Sequence, residues 1–344
     1  MPPRHHSPGS PARPTMKDVA ASAGVAFKTV SRVVNGEPGV GEETAARVRR
    51  AIAELGFRRN DGARLLRQGS RTRSIGLILE DVSDPFYSQL SRAVEEVARA
   101  HGCLLLTGSS AENPDREREL ATDFCARRVD GLLIVPTAAD HGYLTPELAA
   151  GTAVVSLDRP APGITVDTVL TDNTGGAASG VAHLIRHGHR RIGYLGDLPG
   201  IFTASQRLAG YRQAMAHSGY TAHESWTDMA GPEPAGVRLA LHRMLSGPAP
   251  VTALMCGNNR ITVAVIRELA ALAERPALVG FDDFELADLL AAPVTVVAQD
   301  PTLMGRTAAE LLFRRLQGDR GGACTVRMPT VLIPRGSGEV PPPA

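Results

Sequence analysis

The stretch TMKDVAASAGVAFKTVSRVVNG, residues 15–36, decides the fold of the N-terminal part of this 344-residue chain. Thr15 and Asp18 form a T-x-x-D capping box, in which the threonine hydroxyl accepts a hydrogen bond from a free helix amide while the aspartate reaches back. Gly24 then interrupts the helix, and a second helix is expected over 26–34, before an Asn-Gly stop signal. The pattern therefore predicts two helices joined by a tight turn.

The second of these helices has one apolar and one polar face. Val30, Val33 and Val34 fall within about 100° of one another on a helical wheel and are expected to pack against the first helix. The opposite side holds polar and basic side chains, namely Lys28, Ser31, Arg32 and Asn35, with Phe27 at its edge and Thr29 on the flank. Arg can bind a guanine edge, Asn an adenine edge, and Ser or Thr a phosphate. Any amphipathic helix has a polar outer face, but the turn and the local basic charge favour DNA reading.

A third helix is predicted over Glu42–Leu55, because its apolar residues form one stripe that ends at a glycine. Three short helices with a shared apolar seam form a helix-turn-helix unit, which we assign to residues 15–59. Residues 60–73 are predicted to be a short helix and a linker, and Gly62 makes that helix marginal on its own. Residues 1–14, rich in Pro, Ser and His, are predicted to be a disordered tail.

Charge is distributed unevenly along the chain. Residues 15–73 hold 12 Lys and Arg against 6 Asp and Glu, whereas residues 74–344 hold 23 against 30. A basic end suits a polyanion such as DNA, and an acidic remainder avoids adhering to it.

Four separated cysteines without a C-x-x-C pair fit a reducing cytosol. With no membrane-length apolar stretch and no signal-peptide pattern, we expect a cytoplasmic protein without a membrane partner.

From residue 74 the pattern changes to short β-branched runs that alternate with amphipathic helices. The runs are SIGLILE, CLLLT, GLLIV, AVVSL, RIGYLG, ALMC, ALVGF and TVVAQ. They predict an α/β fold with buried parallel strands, and so many βα units favour two lobes. We assign this domain to 74–334 and expect 335–344 to be a disordered tail.

Polar and aromatic side chains follow these strands, where α/β folds bind ligands. They are Asp84, Phe86, Tyr87, Asp158, Arg159, Asp197, Arg207, Asn258, Asp282, Asp283, Gln299 and Asp300. Carboxylates, amides, guanidinium groups and rings in one cleft suit a neutral polyhydroxylated ligand. For any single Asp or Asn, capping of the next helix is the competing interpretation.

Sequence motifs for catalysis are missing. There is no P-loop, no G-x-S-x-G elbow, no H-E-x-x-H and no G-x-G-x-x-G after a strand, so neither an enzyme nor a bound cofactor is expected. His183 and His187 have a spacing that could hold a metal, with His189 close by, but solvated positions are favoured and no metal is expected. A transport-type solute-binding protein and a ligand-independent nucleoid-type DNA binder are the alternatives to a regulator.

The motifs together resemble the LacI/GalR family of bacterial regulators. The opening stretch, with EETAARVRRAIAELGF and NDGARLLRQGS, is similar to the family's DNA-binding headpiece. The resemblance continues through SIGLILEDVSDPFYSQL and ARRVDGLLIVP to VGFDDFELADLLAAPVTVVAQD, and covers about residues 15–333.

The resemblance implies a small all-α helix-turn-helix headpiece plus an α/β two-lobed sensor domain like that of periplasmic binding proteins. The first lobe would comprise about 74–170 and 300–318, and the second about 171–298 and 320–334. The implied function is that of a regulator, as a homodimer on double-stranded operator DNA, most simply a repressor released or recruited by a sugar-like effector.

The resemblance also assigns individual residues. Phe27 and Lys28 resemble the pair that sets DNA specificity. Residues 60–73 resemble the family's hinge helix and linker, in which Leu66 resembles an apolar lever for the minor groove, with Ala63 beside it. The implied DNA contacts are Thr15, Phe27, Lys28, Thr29, Ser31, Arg32, Asn35, Asn60, Ala63 and Leu66. The implied effector contacts are Asp84, Phe86, Tyr87, Arg159, Arg207, Asn258, Asp282 and Gln299. The chain departs from the family at Ala26, where Ser is usual, and at Asn259, where Asp is usual.

Overall fold

A computed structural model of the protein describes residues 14–57, 72–270 and 275–343. The chain divides into two compact units, one ending at Thr72 and the other beginning at Arg73. The predicted hinge contacts Asn60, Ala63 and Leu66 lie outside the described residues.

The first unit holds the three predicted helices. They are α1 (Met16–Ala23), α2 (Phe27–Asn35) and α3 (Glu42–Leu55). Their shared core is built on Val19, Val30 and Val48, each with no exposed surface. The capping box is present, because the Thr15 amide donates to the Asp18 carboxylate at 2.7 Å and the Asp18 amide donates back to the Thr15 hydroxyl at 3.4 Å. The helix-turn-helix prediction is confirmed.

The second unit alternates strands and helices along the chain. Its strands are β1 (Ser74–Leu79), β2 (Leu104–Ser109), β3 (Gly131–Ile134), β4 (Ala153–Leu157), β5 (Asp167–Thr171), β6 (Ile192–Leu195), β7 (Thr227–Asp228), β8 (Ala253–Cys256), β9 (Ala277–Phe281), β10 (Thr295–Ala298), β11 (Thr325–Met328) and β12 (Val331–Ile333). Its helices are α4 (Pro85–Ala100), α5 (Pro114–Ala126), α6 (Thr145–Ala149), α7 (Asn173–Arg186), α8 (Phe202–His217), α9 (Pro234–Ser246), α10 (Asn259–Leu269) and α11 (Pro301–Leu316).

The strands form two sheets, one in each lobe. The first sheet has the order β11-β5-β4-β3-β1-β2, and all its pairs are parallel. The second has the order β12-β10-β9-β8-β6-β7, with β12 antiparallel to its neighbour. The chain crosses between the lobes three times, after β5, after β10 and after β11. The α/β two-lobed fold is therefore confirmed.

Each sheet is covered on both faces, as buried parallel strands require. In β1, Ile75, Leu77 and Leu79 face a core shared with α4 and α11, whereas Ile78 faces the opposite core. Helices α4 and α11 pack closely because Gly305 carries no side chain, and a Cβ there would lie 2.5 Å from the Leu90 carbonyl oxygen.

Four strands were not among the predicted runs, and one of them changes the lobe boundaries. Residues 320–334 were expected wholly in the second lobe, but β11 pairs with β5 in the first sheet, with Val326 opposite Val169. Only β12 joins the second sheet. The run of β11 has charged and polar residues and exposed positions, so it lacks the apolar signature of the central strands.

The expectation of a disordered C-terminal tail was wrong for the residues that the structure describes. The Arg335 guanidinium pairs with both carboxylate oxygens of Asp283, at 2.6 and 2.7 Å. Glu339 contacts His183 Nε2 at 2.5 Å, and the Val340 carbonyl lies 2.7 Å from His189 Nε2. These partners are distant in sequence, so composition does not reveal them. The same contacts correct the expectation of solvated histidines, because His183 and His189 are buried.

Among the described residues, no helix has both the length and the apolar character that crossing a membrane needs.

Candidate functional site

The first candidate site is the outward face of α2. Phe27 is 49% exposed and Lys28 is exposed beside it, whereas Val30 is fully buried. Thr29, Ser31, Arg32 and Asn35 are partly exposed. The sequence-predicted residues of this helix are therefore available to a partner.

Some of these side chains already have partners within the unit. The Asn35 amide donates to the Ser31 hydroxyl at 3.3 Å and to Glu37 at 2.9 Å. The Thr15 hydroxyl donates to Asp18 at 2.7 Å, which makes it a helix cap as well as a candidate DNA contact. Ala26 provides no side-chain hydrogen bond at the N-terminus of α2.

The second candidate site is a cleft between the two lobes, and it brings all eight predicted effector residues together. Asp84, Phe86, Tyr87, Arg159, Arg207, Asn258, Asp282 and Gln299 all line it. The remaining lining residues are Glu80, Asp158, Asp197, Ile201, Thr203, Ala204, Gly257, Asn259 and Arg260. Of the twelve strand-end residues predicted, ten line this cleft, whereas Asp283 pairs with Arg335 and Asp300 caps α11.

Arg159 lies in the first-lobe wall among acidic groups. Its guanidinium donates to both oxygens of Glu112, at 2.9 and 2.5 Å, and to the Pro136 carbonyl at 3.3 Å. Glu80 lies 3.6 Å from the same guanidinium. This arrangement fixes Arg159 with its side chain almost wholly buried.

Arg207 forms the matching corner in the second lobe. It donates to Asn173 at 2.7 Å, to the Gly257 carbonyl at 2.8 Å and to Asp282 at 3.1 Å, and it lies 3.8 Å over the Phe281 ring. Asp282 also accepts from the Gln299 amide at 2.5 Å. Gln299 in turn accepts from the Thr171 hydroxyl, so these groups form one hydrogen-bonded chain.

Two polar contacts join the lobes across the cleft. The Asn259 amide donates to Asp84 at 3.1 Å, and Arg260 pairs with Glu80 at 3.2 Å. An aspartate at 259 would repel Asp84, which gives the departure from the usual family residue a physical consequence. Asp84 and Asn258 also cap helices, so the capping interpretation holds for them as well.

Burial perturbs the acidic groups of the cleft. It raises the pKa of Glu80 to about 7, with a contribution from the nearby charge of Glu112 that outweighs the opposing effect of Arg159. Burial also raises the pKa of Asp84 and of Asp158. Two buried polar atoms of the cleft wall, Asp158 Oδ1 and Arg159 Nε, have no hydrogen-bond partner.

Sequence reasoning missed several contributors to the cleft. Glu80 ends the first strand run and was counted as part of it, and Glu112 lies in a left-handed turn after β2 that no motif marks. Asn173 is the first residue of α7, directly after the crossover from β5, and it accepts a hydrogen bond that orients Arg207. Trp226, whose place the sequence left open, lies in the core of the second lobe with its ring N–H on the Ala249 carbonyl.

Within the described parts of the chain, no three His, Cys, Asp or Glu side chains come together as potential metal ligands.

Comparisons with known proteins match both units. Residues 15–60 match the family described as "Bacterial regulatory proteins, lacI family", and residues 181–338 match the family described as "Periplasmic binding protein-like domain". The HTH-type transcriptional regulator GalR of Escherichia coli (strain K12) is 32% identical over 301 residues, which cover 86% of this chain and 88% of that protein.

Two further similarities extend over almost the whole chain. The HTH-type transcriptional repressor CytR of Escherichia coli (strain K12) is 30% identical over 333 residues, covering 94% of this chain and 96% of that one. A structure titled "transcriptional regulator CelR-cellobiose complex" has a TM-score of 0.69 at 29% identity, and covers 94% of this chain and 100% of that chain. These relatives are transcriptional regulators, so a solute-binding protein without a regulatory role is not favoured.

Proposed function

Because the chain belongs to the lacI family of bacterial regulatory proteins, we propose that it is a repressor whose hold on operator DNA responds to a sugar-like effector in the interlobe cleft. The observation that carries the proposal is the convergence of all eight predicted effector residues on that one cleft. The protein acts through binding alone, without a catalytic step, and works in the cytoplasm where operator DNA lies.

The DNA-reading role belongs to the exposed face of α2. Phe27 and Lys28 stand at the start of the helix, the end that enters the major groove in helix-turn-helix proteins. Lys28 and Arg32 supply positive charge for phosphates or guanine edges, and Thr29, Ser31 and Asn35 supply hydrogen bonds. Thr15 contributes from the start of α1, and Asn60, Ala63 and Leu66 from the hinge.

The effector role belongs to the polar and aromatic walls of the cleft. Arg159 and Arg207 face it from opposite lobes, and Asp84, Asn258, Asp282 and Gln299 supply further polar groups. Hydroxyl groups bridge well between carboxylates and guanidinium groups, and the rings of Phe86 and Tyr87 suit the apolar face of a sugar. The cellobiose complex of CelR is a relative with a sugar ligand.

The working form is a homodimer on a pseudo-palindromic operator, because two copies then place two recognition helices in successive major grooves.

In vitro selection from random DNA, followed by fluorescence anisotropy on the selected site, tests the DNA-binding part of the proposal. We expect a pseudo-palindromic site, and we expect Lys28→Ala to weaken binding by about 1–3 kcal/mol without changing the melting temperature. Arg212→Ala, which removes an exposed basic side chain of α8 in the other unit, is the matched control. Failure to enrich any sequence, or equal losses for the two variants, would contradict the proposal.

A further inference from the structure

The charge of the cleft restricts the chemical class of its ligand. Six carboxyl groups line the cleft or contact its arginines: Glu80, Asp84, Glu112, Asp158, Asp197 and Asp282. Three guanidinium groups stand against them: Arg159, Arg207 and Arg260. The site therefore carries an excess of acidic groups, and an enclosed cleft strengthens the field that they produce.

None of the three guanidinium groups is free of a carboxylate partner. Arg159 is held by both oxygens of Glu112, Arg207 by Asp282 at 3.1 Å, and Arg260 by Glu80 at 3.2 Å. A phosphate or carboxylate ligand would have to displace one of these partners and would leave an additional buried anion unpaired. Leaving a buried charge without its partner is strongly unfavourable. The cleft is thus poorly suited to anionic ligands.

The hydrogen bonding of Asp158 in the cleft wall is incomplete. It is 3% exposed, and its Oδ1 has no hydrogen-bond partner. Its other oxygen lies 3.8 Å from Arg159 Nε, beyond hydrogen-bond distance, and that Nε is itself buried without a partner. An acceptor and a donor that both lack partners, on adjacent residues of the cleft wall, mark the place where a ligand completes the hydrogen bonding.

We propose, as an extension of the proposed function, that the effector is a hydroxylated amine whose ammonium group binds Asp158 and whose neighbouring oxygen accepts from Arg159 Nε. An amino sugar is the simplest molecule of this class. A neutral hydroxyl would satisfy the Asp158 oxygen, whereas an ammonium group would also offset part of the excess of acidic groups in the cleft. The Phe86 ring on the cleft wall adds a surface to which cations are attracted.

Isothermal titration calorimetry of the full chain at neutral pH, with matched ligands, tests this proposal. The ligands are glucosamine, galactosamine and mannosamine, each compared with its neutral parent sugar, its N-acetyl derivative and the 6-phosphate of the parent sugar. We expect at least one amine to bind about tenfold or more tightly than its parent and its N-acetyl derivative, and no phosphate to bind. A parent sugar that binds as tightly as its amine overturns the proposal.

Two variants test the role of Asp158 itself. Asp158→Asn is expected to reduce the affinity for the amine to the affinity for the neutral parent sugar. If this variant binds the parent sugar as tightly as the unmodified chain does, its cleft remains folded. Asp123→Asn, which changes an exposed carboxylate of α5, serves as the control and should leave the amine preference intact. An Asp158→Asn variant that keeps the preference contradicts the assignment.

The outcomes also separate this proposal from the function on which it rests. If neutral or phosphorylated sugars bind and change operator affinity while amines do not, the regulatory function stands and the amine assignment fails. If no compound of the panel binds, the amine assignment fails, and the anisotropy measurement on the selected DNA site decides the regulatory function separately.

Discussion

At the scale of single residues, Ala26 shows how one side chain limits the stability of the DNA-reading helix. It occupies the N-cap position of α2 in an extended conformation and offers no oxygen to the first helix amides. By contrast, α1 has Thr15 and Asp18 in a complete capping box. The helix expected to read DNA is therefore the less well capped of the two.

Replacing Ala26 with Ser should supply the missing cap. Ala26→Ser is expected to stabilise the N-terminal unit by about 1 kcal/mol and to tighten operator binding, because the recognition helix loses less entropy on binding DNA. Chemical denaturation and fluorescence anisotropy measure the two effects. Ala53→Ser, an exposed position within α3, is the control, and equal effects of the two substitutions would contradict the capping argument.

Asn259 is the second residue whose identity has a measurable consequence. Asn259→Asp would replace the hydrogen bond of 3.1 Å to Asp84 with repulsion between two carboxylates. It would thereby remove one of the contacts between the lobes. We expect a loss of about 1–3 kcal/mol in stability of the second unit and a larger radius of gyration by small-angle scattering. The control is Asn113→Asp at the N-cap of α5, because Asn and Asp cap a helix about equally well. An unchanged scattering profile would count against the contact.

At the scale of elements, sequence patterns predict those that carry a strong apolar signature. The stripe of α3 and the buried run of β1 are examples, and both appear where predicted. The strand β5 is fully buried, but its run contains Asp167 and two threonines, whose polar groups pair inside the protein with Arg315, Ser156 and Gln299. A pattern that scores only apolarity does not find such a strand, because its burial depends on partners far away in sequence.

The C-terminal strap, residues 335–343, is an element that only the tertiary structure reveals, and it predicts a pH dependence. Burial lowers the pKa of His183 and of His189, against the raising effect of the strap groups Glu339 and Val340. The folded state therefore takes up protons less readily than the unfolded state, whose histidines have a pKa near 6.5. The contribution of these histidines to the free energy of unfolding is fully present above that pH and decreases as the pH falls below it.

Thermal denaturation between about pH 8 and about pH 5.5 measures this effect. The melting temperature of the protein is expected to fall on acidification. The melting temperature of His183→Gln should fall less, because glutamine keeps a hydrogen-bond donor for Glu339 but does not titrate. His217→Gln, which changes a histidine near the end of α8, is the control. Parallel curves for His183→Gln and the unmodified chain would show that the strap does not sense pH.

At the scale of the whole molecule, the two lobes and their three crossovers explain why the cleft was predictable and why part of it was not. Parallel strands bring their carboxyl ends to one edge, so residues that follow strands meet there, as Arg207 and Asp282 do. Glu112, in a left-handed turn after β2, binds the Arg159 guanidinium. Asn173, at the start of α7, accepts a hydrogen bond from Arg207. The residues of these two pairs are 47 and 34 positions apart, so local sequence does not encode the contacts.

We propose that ligand binding in the cleft changes the affinity of the protein for operator DNA. The direct measurement is the operator affinity of the full chain by fluorescence anisotropy, with and without a saturating amount of the tightest ligand from the sugar and amino-sugar panel. A coupling of about 1–3 kcal/mol predicts a change of about 5- to 150-fold, which Arg207→Ala should abolish by removing ligand binding. Operator affinity that stays the same when the cleft is occupied would contradict the account.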